Sequence, residues 1–153
     1  MMTKFKLMAG ALALSGVAML GGCATLEEGA AELVAETRHA TLTGAQVVGR
    51  GDPDGYATAD LTVTDELNQV CYDVNNVRNL GSVTSVRIHR GAPGATGPAV
   101  LNLSQANEGG WKNCVGRAEW TEDRIESNPA AYYIQINTSD YPNGAIRGQF
   151  AFN

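Results

Sequence analysis

The chain has 153 residues, 44% of them hydrophobic and 18% charged, with 18 glycines, 7% aromatics and a formal net charge of −5. That composition is globular, and the stretch from Arg38 onward suffices for one core, which excludes a large multidomain enzyme. With Lys4 and Lys6 set aside in a removable N-terminal segment, 9 basic side chains face 16 acidic ones, a net −7, which argues against nucleic acid as a partner.

Residues 1–6 hold two lysines, and 7–20 form an apolar run of 14 residues broken only by Gly and Ser, the n- and h-regions of a secretory signal. The run falls short of the ~20 residues a membrane span needs. It ends in Leu20-Gly21-Gly22-Cys23, which resembles the bacterial lipobox. The resemblance implies a signal peptide over 1–22, lipidation of Cys23, and a membrane partner reached through that anchor. Ala24 in place of Asp points to the outer membrane, so the expected location is the bacterial cell envelope, on a periplasmic or surface face. A soluble periplasmic protein whose signal contains a cysteine is the alternative. Residues 23–37 then read as the lipidated cysteine and a tether. In it Glu27, Glu28, Glu32 and Glu36 alternate with Ala and Leu at roughly helical spacing, as either a short helical stalk or disordered chain.

From Arg38 the period changes to two, and the domain is expected over 38–153. Gly51-Asp52-Pro53-Asp54-Gly55 has a turn composition. Arg50-Gly51-Asp52 spells a short integrin-type tripeptide by coincidence of common loop residues. The Asp-rich turn lacks the terminal Glu of a calcium loop. Over 56–63, Ala57, Ala59, Leu61 and Val63 alternate with Thr58, Asp60 and Thr62, the pattern of a half-buried strand. Val70, Tyr72 and Val74 repeat it, as do Val86 and Ile88. Thr121 caps an expected short helix through Arg124 and Ile125, ending before Asn128-Pro129. Tyr132, Ile134 and Ile136 restore the alternation, and Ile146, Phe150 and Phe152 stay in phase on the last strand. Between those two strands Tyr141-Pro142-Asn143-Gly144 signals a hairpin. Short strands with turn clusters predict an all-β fold, an antiparallel β-sandwich or Greek-key barrel.

The chain holds three cysteines. If Cys23 carries lipid, Cys71 and Cys114 remain as an even pair, and in an oxidising compartment a structural disulfide is the default. Two reduced, buried cysteines are the alternative. No further His or Cys stands at ligand spacing, so neither a metal nor a cofactor is expected. Trp111 and Trp120 flank Cys114 and are expected to pack over the disulfide, the competing reading being stacking on a sugar or partner protein. The Gly-x-Ser-x-Gly elbow of a serine nucleophile is missing. Gly91-x-x-Gly94-x-x-Gly97 follows a strand but leads to Pro98, not to the helix start that a phosphate loop requires.

Four segments together resemble the chordin-type domain family, CHRD. They are Leu42-Thr43-Gly44-Ala45-Gln46; Gly55-Tyr56-Ala57-Thr58-Ala59; Ile88-His89-Arg90-Gly91 with Gly94 and Gly97-Pro98; and Tyr133-Ile134-Gln135-Ile136-Asn137-Thr138 with Pro142-Asn143-Gly144-Ala145-Ile146-Arg147-Gly148-Gln149. Where the family pattern has its first histidine this chain has Arg87, for the late histidine it has Asn137, and for a glutamate it has Ala145. The family's His-x-His strand is similar to that of copper/zinc superoxide dismutases, but such a site needs several converging imidazoles, and only His39 and His89 are present.

If strands carrying Arg87 and His89, Gln135 and Asn137, and Arg147 and Gln149 are neighbours, these six side chains form a polar face. One reading is a ligand-binding face for an anionic or hydroxylated small molecule. The other is an internal hydrogen-bond network that closes the loop 91–98 over the sheet. The expectation is a lipid-anchored, non-catalytic binding or structural module, without an enzyme active site, whose partner is an envelope protein or a small polar ligand. Its rival is a small-ligand or metal-binding protein, or an enzyme, centred on His89 and Arg87.

Overall fold

The computed structural model describes residues 35–64, 67, 69–107, 109–116, 125 and 127–151. The expected signal peptide, Cys23 and the tether up to residue 34 lie outside the described residues, as do Trp120, Phe152, and Thr121 and Arg124 of the expected short helix.

Among the described residues eight strands follow one another: β1 (Ala35–Thr43), β2 (Tyr56–Thr64), β3 (Gln69–Arg78), β4 (Val83–Arg90), β5 (Ala99–Asn102), β6 (Trp111–Gly116), β7 (Tyr132–Thr138) and β8 (Ile146–Gln149). They form a single antiparallel sheet in the order β5-β4-β7-β8-β1-β2-β3-β6. The all-β antiparallel architecture expected from the alternation is therefore present, as one curled sheet. The inward set matches the apolar phase of each strand: Ala57, Ala59, Leu61 and Val63 of β2, Val70, Tyr72 and Val74 of β3, Val86 and Ile88 of β4, and Tyr132, Ile134 and Ile136 of β7 are all buried. Ile125 joins the same core, completely buried. Burying each large aliphatic side chain contributes about 1.5–3 kcal/mol, so this shared interior is what makes the sheet curl.

The curl is sealed where its two ends meet. Beyond β5, the Leu103 amide donates to the Val86 carbonyl (2.9 Å). The Ser104 amide then donates to the Tyr72 hydroxyl (2.9 Å), which in turn donates to the Ser104 carbonyl (3.2 Å). A core tyrosine on β3 thus satisfies its buried hydroxyl with backbone from the far edge of the sheet.

Two local expectations need correction, and one turn is present with a longer loop around it. β1 starts at Ala35, so Ala35, Glu36 and Thr37, read as tether, pair with Thr64, Val63 and Thr62. The length of β2 offers them a ladder, so Glu36 is in a strand rather than on a helical stalk. The hairpin expected at Tyr141-Pro142-Asn143-Gly144 is present between β7 and β8. Its loop spans 139–145 and turns at Pro142-Asn143, with the Gly144 amide on the Tyr141 carbonyl (3.1 Å) and Gly144 at φ +133°. Finally, Trp111 does not cover the disulfide. Trp111 packs against the core, whereas Cys114, three residues on, is exposed, because residues an odd number apart on a strand point to opposite faces.

Cys71 and Cys114 are direct register partners on β3 and β6 and are joined as a disulfide. The turn reading of Asp52-Pro53-Asp54-Gly55 also holds: the Asp54 amide donates to Asp52 Oδ1 (3.1 Å), so that carboxylate serves its own loop.

Candidate functional site

β4, β7 and β8 are neighbours, and their register lines up the expected polar residues on the outer face of the sheet. Arg87 stands opposite Gln135, which stands opposite Arg147; His89 stands opposite Tyr133, which stands opposite Gln149; Asn137 faces Ser85. The fold brings the six together. It also adds Tyr133, which shares the outward phase of Gln135 and Asn137 and was legible from that phase alone.

This part of the outer face is not open. Two segments lie over it: the β4–β5 loop, 91–98, and the stretch 44–55 between β1 and β2, which is held by the Asp52 amide donating to the Ala145 carbonyl (2.8 Å). Arg147 is consequently only 2% exposed although it points away from the core. Its Nη1 donates to the Ala95 carbonyl (2.8 Å), and its Nη2 donates to the Ala92 carbonyl (3.0 Å) and to Gln149 Oε1 (3.1 Å). Its guanidinium carbon lies 3.5 Å from the Tyr133 ring centroid. Gln149 Nε2 donates to the Gly91 carbonyl (2.8 Å) and the Ala130 carbonyl (2.7 Å). Loop carbonyls that a surface loop would leave to water are thus taken up by two side chains of β8. Burial is the main influence that lowers the Arg147 pKa from its ordinary value, with the nearby Tyr133 acting in the opposite sense.

His89 belongs to the same clamp. Its Nδ1 donates to the Gly97 carbonyl (2.9 Å), and its ring stacks on Tyr133 with centroids 4.8 Å apart and planes 8° from parallel. The Gly97 amide donates to the Tyr133 hydroxyl (3.2 Å). Burial is the largest cause that holds the His89 pKa below its usual 6.5; the Gly97 hydrogen bond opposes it, and Arg87 and Arg147 reinforce it. Glycine is required at 97, since a Cβ there would lie 1.7 Å from the Arg90 carbonyl oxygen. At the hairpin end, Gln135 Nε2 donates to Asn137 Oδ1 (2.9 Å) and the Asn143 carbonyl (3.2 Å), while Asn137 Nδ2 donates to the Pro142 carbonyl (3.0 Å). Five of the six expected residues therefore hold loops. Arg87 does not: it is exposed and lines an open groove of about 400 Å³ shared with Val86, Leu103 and Trp111.

A second outer region, over β1, β2, β3 and β6, was not anticipated. One cross-strand row reads His39, Asp60, Asp73, Lys112, and the next Thr37, Thr62, Cys71, Cys114. His39 Nδ1 contacts Asp60 Oδ1, Lys112 Nζ donates to Asp73 Oδ2 (2.5 Å), and the Thr37 and Thr62 hydroxyls share a hydrogen bond (2.9 Å). These rows line an open groove of about 360 Å³. The Asp73 hydrogen bond and charge hold the Lys112 pKa above its usual value. Only the outward phase of each residue was readable beforehand; the register that joins them is a property of four paired strands.

The two histidines fall in different regions, and among the described residues no three His, Cys, Asp or Glu side chains gather as a metal site. His89 Nδ1 is committed to a loop carbonyl, and the hydrogen bonds of Arg147 and Gln149 to loop carbonyls likewise serve to fix loop backbone. A family model described as the CHRD domain matches residues 38–150. No curated protein and no solved structure matches the chain.

Proposed function

Because the chain belongs to the CHRD domain family, over most of its length, we propose that it is a non-catalytic binding or structural module, held at the bacterial cell envelope by a lipid on Cys23. CHRD domains are generally non-catalytic modules, and the observation that carries the reading here is how the polar face is used. Arg147, Gln149, His89 and Tyr133 fix the loop 91–98 in one conformation, leaving a rigid β scaffold with its loops presented outward. Binding surfaces on such scaffolds sit on loops that the sheet positions. The Leu20-Gly21-Gly22-Cys23 sequence supports anchoring, and an oxidising envelope compartment is consistent with the Cys71–Cys114 disulfide.

The test is the intact mass and fractionation of the native protein beside Cys23→Ala. A lipid-sized mass increase with membrane retention, both lost in the variant, is the expected result. An unmodified mature mass in the soluble fraction would overturn the anchor and leave a soluble extracytoplasmic module. Turnover by the purified domain that disappears in His89→Ala would overturn the non-catalytic reading.

A further inference from the structure

A buried guanidinium without a carboxylate is unusual, because a charge taken out of water is normally paired. Arg147 is such a case: 2% exposed, it makes no ion pair with any described residue, and its three hydrogen bonds all end on neutral acceptors. The other charge in its cross-strand row does not compensate, since Arg87, beyond Gln135, is a second cation. A guanidinium carries five N–H donors in a planar fork. The Ala95 carbonyl takes one of those on Nη1 and the Ala92 carbonyl and Gln149 take those on Nη2, so the Nε–H and the second Nη1–H bond to no described residue.

Arg147 also forms part of the wall of a cleft. About 180 Å³ of space opens between Ala45 and Gln46 on one lip and Pro93 and Gly94 on the other, with Arg147 and Gln149 lining it from the sheet. Small side chains keep the mouth clear: Ala45 is exposed, and a Cβ at Gly94, φ +75°, would have nothing within 4 Å. The Gln46 amide turns away to the Thr41 carbonyl (2.7 Å) and so does not fill the space.

We propose that this cleft is a binding site for a small carboxylate, whose oxygens accept from Arg147 and supply the counter-charge the fold leaves out. Carboxylates match the guanidinium fork and form charge-assisted hydrogen bonds with it. The cleft admits a single such group, and the neighbouring loop carbonyls already hold the fork in place, so little side-chain entropy remains to be lost on binding.

The probe is acetate, titrated against chloride at equal ionic strength while the Arg147 Nε–H resonance of 15N-labelled protein is followed. A saturable shift is expected in the wild type. Ala45→Glu, which puts a carboxylate on the exposed lip without touching the clamp, is expected to weaken acetate binding by at least about tenfold through occlusion and charge repulsion. Gly94→Asp on the opposite lip gives the same reading should Ala45→Glu fail to fold. A non-saturating wild-type response, or unchanged acetate affinity in a folded lip variant, overturns the site. Neither outcome touches the anchoring of Cys23, which the mass measurement decides separately.

Discussion

Two stretches of the sheet's outer surface carry polar side chains at alternating positions, and they end in opposite states. Over β4, β7 and β8 the polar residues other than Arg87 lie under the loop 91–98, the stretch 44–55 and the hairpin loop, and spend donors on loop backbone. Over β1, β2, β3 and β6 no described segment forms such a roof, and His39, Asp60, Asp73 and Lys112 pair with one another at the surface while a disulfide ties the edge. The difference lies in the connections. β1 and β2 are joined by a long, glycine-rich segment, as are β4 and β5, and both fold back over the centre of the sheet; β6 is an edge. An outward-facing arginine is therefore a core residue in one region, while an outward-facing lysine is a surface residue in the other.

The sharpest way to break this contrast is Arg147→Ala. It strips the loop of its charge-assisted donors and its stacked cation at once, and about 3–5 kcal/mol of destabilisation is expected in urea unfolding. Hydrogen exchange in 91–98 should rise before the global transition. Next comes the open region's own fixture. Removing the disulfide with Cys71→Ala and Cys114→Ala frees a loop of 43 residues in the unfolded chain, and a loss of about 3–4 kcal/mol is expected. Because that effect acts through the unfolded state, exchange in 91–98 should keep its native protection relative to global unfolding. Loosening of 91–98 in the cysteine double variant would mean that the two regions are mechanically one.

How much of this was readable beforehand follows from the physics of each signal. Alternation is local, so the inward residues of β2, β3, β4 and β7 and the strand spans themselves were legible. The Cys71–Cys114 pairing was legible by cysteine parity. Register is not local: that Arg87, Gln135 and Arg147 form one row was a conditional reading on the assumption that their strands are neighbours, and the His39 to Lys112 row was invisible because nothing in any of its four strands names its partner. Coverage was least legible of all. Tyr133 looks like any outward residue of β7, yet it is 2% exposed because a loop more than thirty residues upstream folds over it. The same limit explains Trp111, whose proximity to Cys114 in sequence suggested contact while the strand pleat placed them on opposite faces.

Glycine substitutions sharpen the contrast within the roof itself. Gly97→Ala drives a methyl into the Arg90 carbonyl, and about 1–3 kcal/mol is expected as the loop lifts from Tyr133 and His89. Gly94→Ala meets open space and carries only the cost of a positive φ, roughly 1 kcal/mol. Equal melting midpoints for the two would show that the roof does not rest on that close approach. A pH series adds a smaller effect. The folded state holds His89 below its usual 6.5, so the unfolded chain takes up the proton first; stability is full above that value and falls as pH drops from it toward the depressed folded value. The wild type should therefore lose more of its thermal midpoint than His89→Gln between neutral and mildly acidic pH, and parallel curves would remove His89 from the clamp.

The smallest effect is expected where the contacts look strongest on paper. Lys112 bonds to Asp73, and Asp73 stands directly opposite Asp60 in the ladder, so Lys112 is the obvious counter-ion to two carboxylates. Its ammonium is exposed, however, and water and salt screen both the attraction it supplies and the repulsion it relieves. Lys112→Ala should leave the unfolding midpoint unchanged at physiological ionic strength, with a loss appearing only at low salt. Arg147→Ala should show the reverse, a large loss that salt hardly alters, because its partners are carbonyl dipoles under a roof rather than charges in solvent. If Lys112→Ala instead destabilises as much as Arg147→Ala and is equally indifferent to salt, then coverage is not what separates the two regions, and the open row is as much a part of the fold's interior as the clamp.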